Sequence, residues 1–278
     1  MKAITIAALL AAQATTLLVG ASPALADGKG LSMYGLTSDQ RLVLFRESRP
    51  GRAREIGEIR LSGDTRLVGI DFRPATGGLW GLGDQSGVYE IDVTTGAATL
   101  RSQLTSNGVP LALVGSSFGV DFNPTVDRMR VVSDSGQNLR INVDTGATTE
   151  DPSLNTAGVV ASGITAAAYT NNDSDPNTAT TLFDLDAALD QISIQAPPNA
   201  GSLNATGKLG IDVSPEIGFD IYSVMGDGTT VGARAFATIT TDRTRLYSIN
   251  LLTGSARVVG AFRTELTLTG LAIPPNQQ

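Results

Sequence analysis

From about residue 30 to its end, the chain is built of short runs in which apolar and polar residues alternate, each closed by a turn. In residues 88–93, Tyr89, Ile91 and Val93 alternate with Val88, Glu90 and Asp92, the period of two expected of a pleated strand. Beyond residue 26 no stretch sustains a helical period. The clearest group predicts four strands, at 67–73, 79–83, 88–93 and 97–103, with Pro74-Ala75-Thr76-Gly77-Gly78 as the first turn. The same pattern predicts strands at 118–122, 129–133, 139–143 and 147–149, and again at 219–224, 233–240, 245–251 and 256–262.

Two markers recur at one period. Gly69-Ile70-Asp71-Phe72-Arg73-Pro74 matches Gly119-Val120-Asp121-Phe122-Asn123-Pro124, and related strand starts stand at Gly163-Ile164-Thr165, Gly218-Phe219-Asp220 and Gly270-Leu271-Ala272. Their glycines are 50, 44, 55 and 52 residues apart. Thr-Gly turns end a strand at Gly96, Gly146 and Gly254, and Pro198-Asn199-Ala200-Gly201 fills the gap in that series. Four strands per unit in a sustained repeat predict an all-β fold, a β-propeller. The end of the chain adds a lone first strand around Leu268-Thr269-Gly270-Leu271-Ala272. Residues 31–37, 41–46 and 53–61 read as strands two to four of a unit that lacks its first. Joined, the N- and C-terminal strands close one blade, for five four-stranded blades, and hide edges that would otherwise invite aggregation.

The first residues change the picture of where the protein works. Lys2, an apolar stretch from Ala3 to Gly20, and Ser22-Pro23-Ala24-Leu25-Ala26 form a secretory signal with an A-x-A cleavage site. The expectation is a signal peptide at 1–26, a single domain at 27–278, and an exported protein, periplasmic or extracellular. No later segment has the apolar length of a membrane span. Removing Lys2 leaves 19 basic against 27 acidic residues, a net charge of −8. Such acidity argues against a nucleic-acid partner, which needs a concentrated basic surface. The chain has no cysteine and no histidine, so disulfides, Ser-His-Asp or Cys-His triads, and His- or Cys-ligated zinc, copper or haem are excluded. No cofactor is expected; chemistry would fall to carboxylates, Lys, Tyr or a hard oxygen-ligated cation.

The run from Gly119 through Asn123-Pro124, Asp127-Arg128 and Ser133 to Gly136-Gln137-Asn138-Leu139-Arg140 resembles a family of bacterial secreted domains, domain of unknown function 4394. Ala168-Tyr169-Thr170-Asn171 and the stretch from Ala196 to Gly201 are similar to its other recurring segments. The resemblance implies a propeller-like exported domain and assigns no activity.

Three groups are candidate sites. Asp71, Asp121 and Asp220 share one place in three units, so they could gather at a central channel. Five-bladed propeller glycosidases hold acids in comparable positions. Their periodicity favours an architectural role instead, hydrogen-bonding backbone between adjacent blades. The second group is Asn123, Asp127, Arg128, Arg130, Asn138 and Arg140, where hairpin pairing could bring three guanidinium groups onto a carboxylate or phosphate. The bland alternative is charge balancing with Asp127, Asp134 or Asp144. The third is the loop Asp173, Asp175, Asn177 with Asp184, spaced like a Ca²⁺ loop but with Thr178 where the sharp turn needs Gly. An Asx-rich turn accounts for it, and no metal site is assigned. The expected function is a ligand-binding or scaffold module for a small anionic ligand or a protein; the alternative is a carboxylate-dependent glycoside hydrolase or lyase.

Overall fold

Alternating runs this short cannot bury themselves singly, and the computed structural model shows how they do so together. It describes residues 30–277 except 174 and 176, so the expected signal peptide lies outside the described residues. Five four-stranded antiparallel sheets stand around a common axis as the blades of a β-propeller. Blade 1 is the split one: Ser32–Thr37, Arg41–Arg46 and Arg54–Glu58 are joined by Leu268–Ala272 from the far end of the chain. Blades 2 to 5 occupy residues 67–103, 118–150, 164–208 and 217–261. Two small hairpins, Thr105–Ser106 with Val109–Pro110 and Asn155–Thr156 with Val159–Val160, sit on the links out of blades 2 and 3. Of the described residues, only Pro50–Arg52 and Pro198–Ala200 are helical, each a single 3₁₀ turn.

The first strand of each of blades 2 to 5, and the C-terminal strand of blade 1, line the axis. These strands have one partner apiece, so each turns an unpaired edge inward. Hydrophobic faces meet between blades. Leu36, Leu42, Ile70 and Tyr89 fill the junction of blades 1 and 2. Leu82, Val88, Phe122 and Val131 fill that of blades 2 and 3, and Leu185, Ile192, Ile221 and Ile239 that of blades 4 and 5. Met33, Phe45, Phe236 and Phe262 close blade 5 onto blade 1. The junction of blades 3 and 4 has the smallest apolar cluster, around Val132, Leu154, Tyr169 and Leu182, and it buries the polar Arg130, Asn138, Asp184, Ser193 and Gln195.

One expected correspondence is corrected. Gly163-Ile164-Thr165 is not the counterpart of Gly119-Val120-Asp121; Ala166-Ala167-Ala168, three residues on, holds that place. A Cβ on Gly119 would run into Ala166 and Ala167, as one on Gly69 would run into Val120. Gly163 instead makes a turn at φ +102°, and the pairing shifts register between Ile164 and Ala166, as it does between Leu67 and Gly69 in blade 2. A glycine that permits a turn and one that permits close packing read alike in a sequence.

The Thr-Gly marker has a packing cause. Gly96, Gly146, Gly201 and Gly254 all have φ between +65° and +79°, and a Cβ on each would strike backbone of the preceding blade or the segment leaving it, at Gly57, Gln103, Ser153 and Gly207. Gly146→Ala should therefore cost about 2 kcal/mol or more, since it adds collision to left-handed strain. Gly77, at φ +71° with nothing within 4 Å of its Cβ position, should cost only the strain, roughly 1 kcal/mol. Urea unfolding of the two alanine variants tests this; equal losses would remove the packing argument.

Candidate functional site

The inward edges explain the repeated aspartates. Asp71 Oδ2 accepts the Phe122 N–H of the next blade at 2.8 Å, Asp121 Oδ1 accepts that of Tyr169 at 3.2 Å, and Asp220 Oδ2 accepts that of Ile273 at 2.6 Å. Each carboxylate thus reaches forward one blade and satisfies an edge donor that no strand can pair. Blades 4 and 1 have Ala168 and Ala272 at this level and send nothing forward. There the following blade supplies its own carboxylate: Ile221 N–H bonds Asp220 Oδ1 at 2.5 Å, and Phe72 N–H bonds Asp71. Three aspartates so serve five axial N–H groups.

The arrangement concentrates negative charge. Oxygens of Asp71, Asp121 and Asp220 lie within 4.8 Å of one another, and no residue of the three exceeds 6% exposure. Burial, then repulsion from Asp220, pushes the Asp71 carboxyl well above its usual range. Burial, then Asp71 and Asp220, does the same to Asp121, and burial pushes Asp220 up to about 7. A hard cation such as Ca²⁺ takes six to eight oxygens. Here three carboxyls bring six oxygens together, and five backbone N–H groups already donate to them.

The arginine group is brought together in part. Arg130 and Arg140 are directly opposite on paired strands, and Asn138 lies opposite Val132. Their guanidinium groups converge on Asp151. Arg130 Nη1 meets Asp151 Oδ2 at 2.7 Å, and Arg140 forks onto both oxygens at 2.8 Å. Arg130, 1% exposed, also donates to Asn138 Oδ1 at 2.7 Å, to Asn199 Oδ1 at 2.8 Å and to the Tyr169 hydroxyl at 3.2 Å. Blades 3 and 4 are tied by this network. Burial acts against the Asp151 charge, but the bonds from Arg140 and Arg130 outweigh it and hold the carboxyl below its usual range. Arg128 does not join; its Nη1 donates to the carbonyls of Asp127 and Val126 at 2.8 and 3.3 Å. Asn123 caps its own turn through the N–H of Thr125 at 2.9 Å.

The expected balancing acids serve elsewhere. Asp127 and Asp144 both clamp Arg73, which forms four bonds of 2.6–2.8 Å between blades 2 and 3 and lies 5.5 Å from the Trp80 ring. Asp134 caps the N–H of Ser116 at 2.9 Å. Asp151, Asn199, Tyr169 and Arg73 went unrecognised from sequence. Asp151 was within reach, because extending the outer strand past Thr149 by two residues puts it opposite Asn138, on the face shared by Arg130 and Arg140. Nothing local marks Asn199, which approaches from another blade. In the acidic loop, Asp173 accepts from the Asp175 N–H at 3.0 Å and from Thr230. Asp184 lies inside the strand Leu182–Asp186, fully buried, with neither oxygen hydrogen-bonded. Burial pushes its carboxyl well above the usual range, against a weaker pull from Arg130.

The profile of the domain of unknown function 4394 matches residues 41–272. The chain belongs to this family. No curated protein matches the chain. Its fold is similar to that of a structural-genomics protein of unknown function from Bacteroides thetaiotaomicron, at 13% identity and TM-score 0.46, covering 88% of this chain and 62% of that one. It is similar too to an auxiliary nutrient binding protein from the same organism, at 12% identity and TM-score 0.46, covering 89% and 63%. Hydrazine synthase of Kuenenia stuttgartiensis matches at 12% identity and TM-score 0.40, covering 72% and 53%. The domain thus spans between half and two thirds of the length of these structures.

Proposed function

We propose that this domain is an exported ligand-binding or scaffold module, whose rigid ring holds recognition loops in place and performs no chemistry at its axis. One observation carries the reading: the polar groups that chemistry would need are committed to joining blades. Asp71, Asp121 and Asp220 are spent on edge N–H groups, and Arg130 is enclosed by four partners of its own chain. A glycoside hydrolase sets two carboxyls about 5–9.5 Å apart on either side of an accessible sugar ring. The axial carboxyls are buried, none more than 6% exposed.

An anionic ligand would meet Arg128 and Arg140, which keep partly exposed side chains. A thermal-shift screen against organic anions, sugars and Ca²⁺ tests the proposal. A ligand at about a hundred times its Kd should raise the melting temperature by roughly 5–10 °C, and Arg140→Gln should reduce that rise for an anion. Turnover of a glycoside that disappears in Asp71→Asn and Asp121→Asn would overturn it.

A further inference from the structure

The axial aspartates do more than tie blades. We propose that Asp71, Asp121 and Asp220 share one exchangeable proton, and that this proton couples closure of the propeller ring to pH. The geometry supplies a specific place for it. Asp71 and Asp220 each accept two backbone N–H groups, one from their own blade and one from the next. Asp121 accepts one, on Oδ1, so its Oδ2 is the oxygen left without a backbone donor. A proton there removes one of three buried charges held within 4.8 Å of one another, the arrangement in which neighbouring acids cannot all ionise.

No cation competes for that role. Behind the axial strands, the residues paired with the five axial positions are Trp80, Arg130, Phe183, Phe236 and Tyr34. Arg130 is turned away onto Asp151, Asn138, Asn199 and Tyr169. Tyr34 and Tyr169 are held neutral, burial pushing both hydroxyls above their ordinary value. Among the described residues, no basic group acts on any of the three carboxyls.

The location makes the proton consequential. Asp220 and Asp71 flank the strand Leu268–Ala272, the piece that closes the ring, and Asp220 holds its Ile273 N–H directly. Ala272 contributes no carboxylate of its own. While Asp121 holds the proton, two of the three axial carboxyls are charged; once it leaves, a third charge joins them within 4.8 Å, beside the one axial strand that is not followed by the rest of its blade. The closing strand should loosen first.

A carboxyl that is protonated in the folded chain and ionised in the unfolded one stabilises the fold at low pH. That stability falls as pH rises from the unfolded value near 4 through the folded one. One such proton corresponds to about 3–5 °C of melting temperature per pH unit in a domain of this size. The purified protein should therefore melt progressively lower from pH 5 to pH 8. Hydrogen exchange, corrected for its intrinsic pH dependence, should show residues 268–277 losing protection before any other axial strand.

Asp121→Asn keeps an oxygen for Tyr169 and removes the titrating group; its melting temperature should fall clearly less than that of the wild type over that range, the remaining slope belonging to Asp184, and should exceed the wild type at pH 8. Asp71→Asn, which disturbs a different junction, should flatten the profile likewise and serves if the first variant does not fold. Asp184→Asn is the comparison: Asp184 is a buried, raised acid away from ring closure, so this variant removes its own share of the slope and leaves the share of the axial cluster and the early loss of protection at residues 268–277. The proposal is overturned if the wild-type profile is flat, or if its slope survives both axial variants unchanged. Millimolar Ca²⁺ that restores stability at pH 8 beyond a NaCl control of equal ionic strength would also overturn it, by putting a metal where the proton is placed.

Discussion

Deletion of residues 265–278 should leave a chain that aggregates or does not fold. The deleted piece includes the strand Leu268–Ala272, whose Leu268, Leu271 and Ala272 are at most 3% exposed, and Ile273 at 4%. Burying three large aliphatic side chains is worth on the order of 5–8 kcal/mol, comparable to the whole stability of many domains. Further losses follow. The bonds from Ile273 to Asp220 and from Tyr222 to Gln277 disappear, and Ser32–Thr37 becomes an open edge ready to pair with another molecule. Gel filtration and urea unfolding of the truncated protein measure this. A monomer with an unchanged melting temperature would show that the ring does not depend on its split blade.

Arg130→Gln should lower stability by about 3–5 kcal/mol, roughly 10 °C in melting temperature. The guanidinium is enclosed between blades 3 and 4 and bonds Asp151, Asn138, Asn199 and Tyr169. Glutamine cannot span those four partners, so Asp151 keeps only Arg140, while Asn199 and Tyr169 lose a buried donor. A removed partner in such a network costs more than the intact network contributes, because the groups left behind remain desolvated. Binding of any anion found by screening should be unaffected. Stability within 1 kcal/mol of wild type, together with weakened anion binding, would return Arg130 to the list of ligand-contacting residues.

The five-fold repeat, the four strands per unit and the split blade were all legible in the chain, because each rests on local chemistry. Alternation at period two appears wherever a strand has a buried face, and a glycine at positive φ marks the same turn in blades 2 to 5. The predicted strands at 79–83 and 41–46 match Leu79–Gly83 and Arg41–Arg46. The one misplaced unit, at Gly163, carries alanines where its neighbours carry Gly and Asp, so the marker itself was missing.

Partnership was not legible. Sequence placed Asp71, Asp121 and Asp220 at equivalent positions and Arg130 beside Arg140. It favoured backbone bonds between blades for the aspartates, but could not name their partners, Phe122, Tyr169 and Ile273. Nor could it say that the arginines close on Asp151. A repeat pattern is written by forces within a blade, over a few residues. Which oxygen meets which N–H is decided between blades, by segments about 50 residues apart, or nearly the whole chain apart where residues 268–272 meet Ser32–Thr37. Those distances are set only when the ring closes.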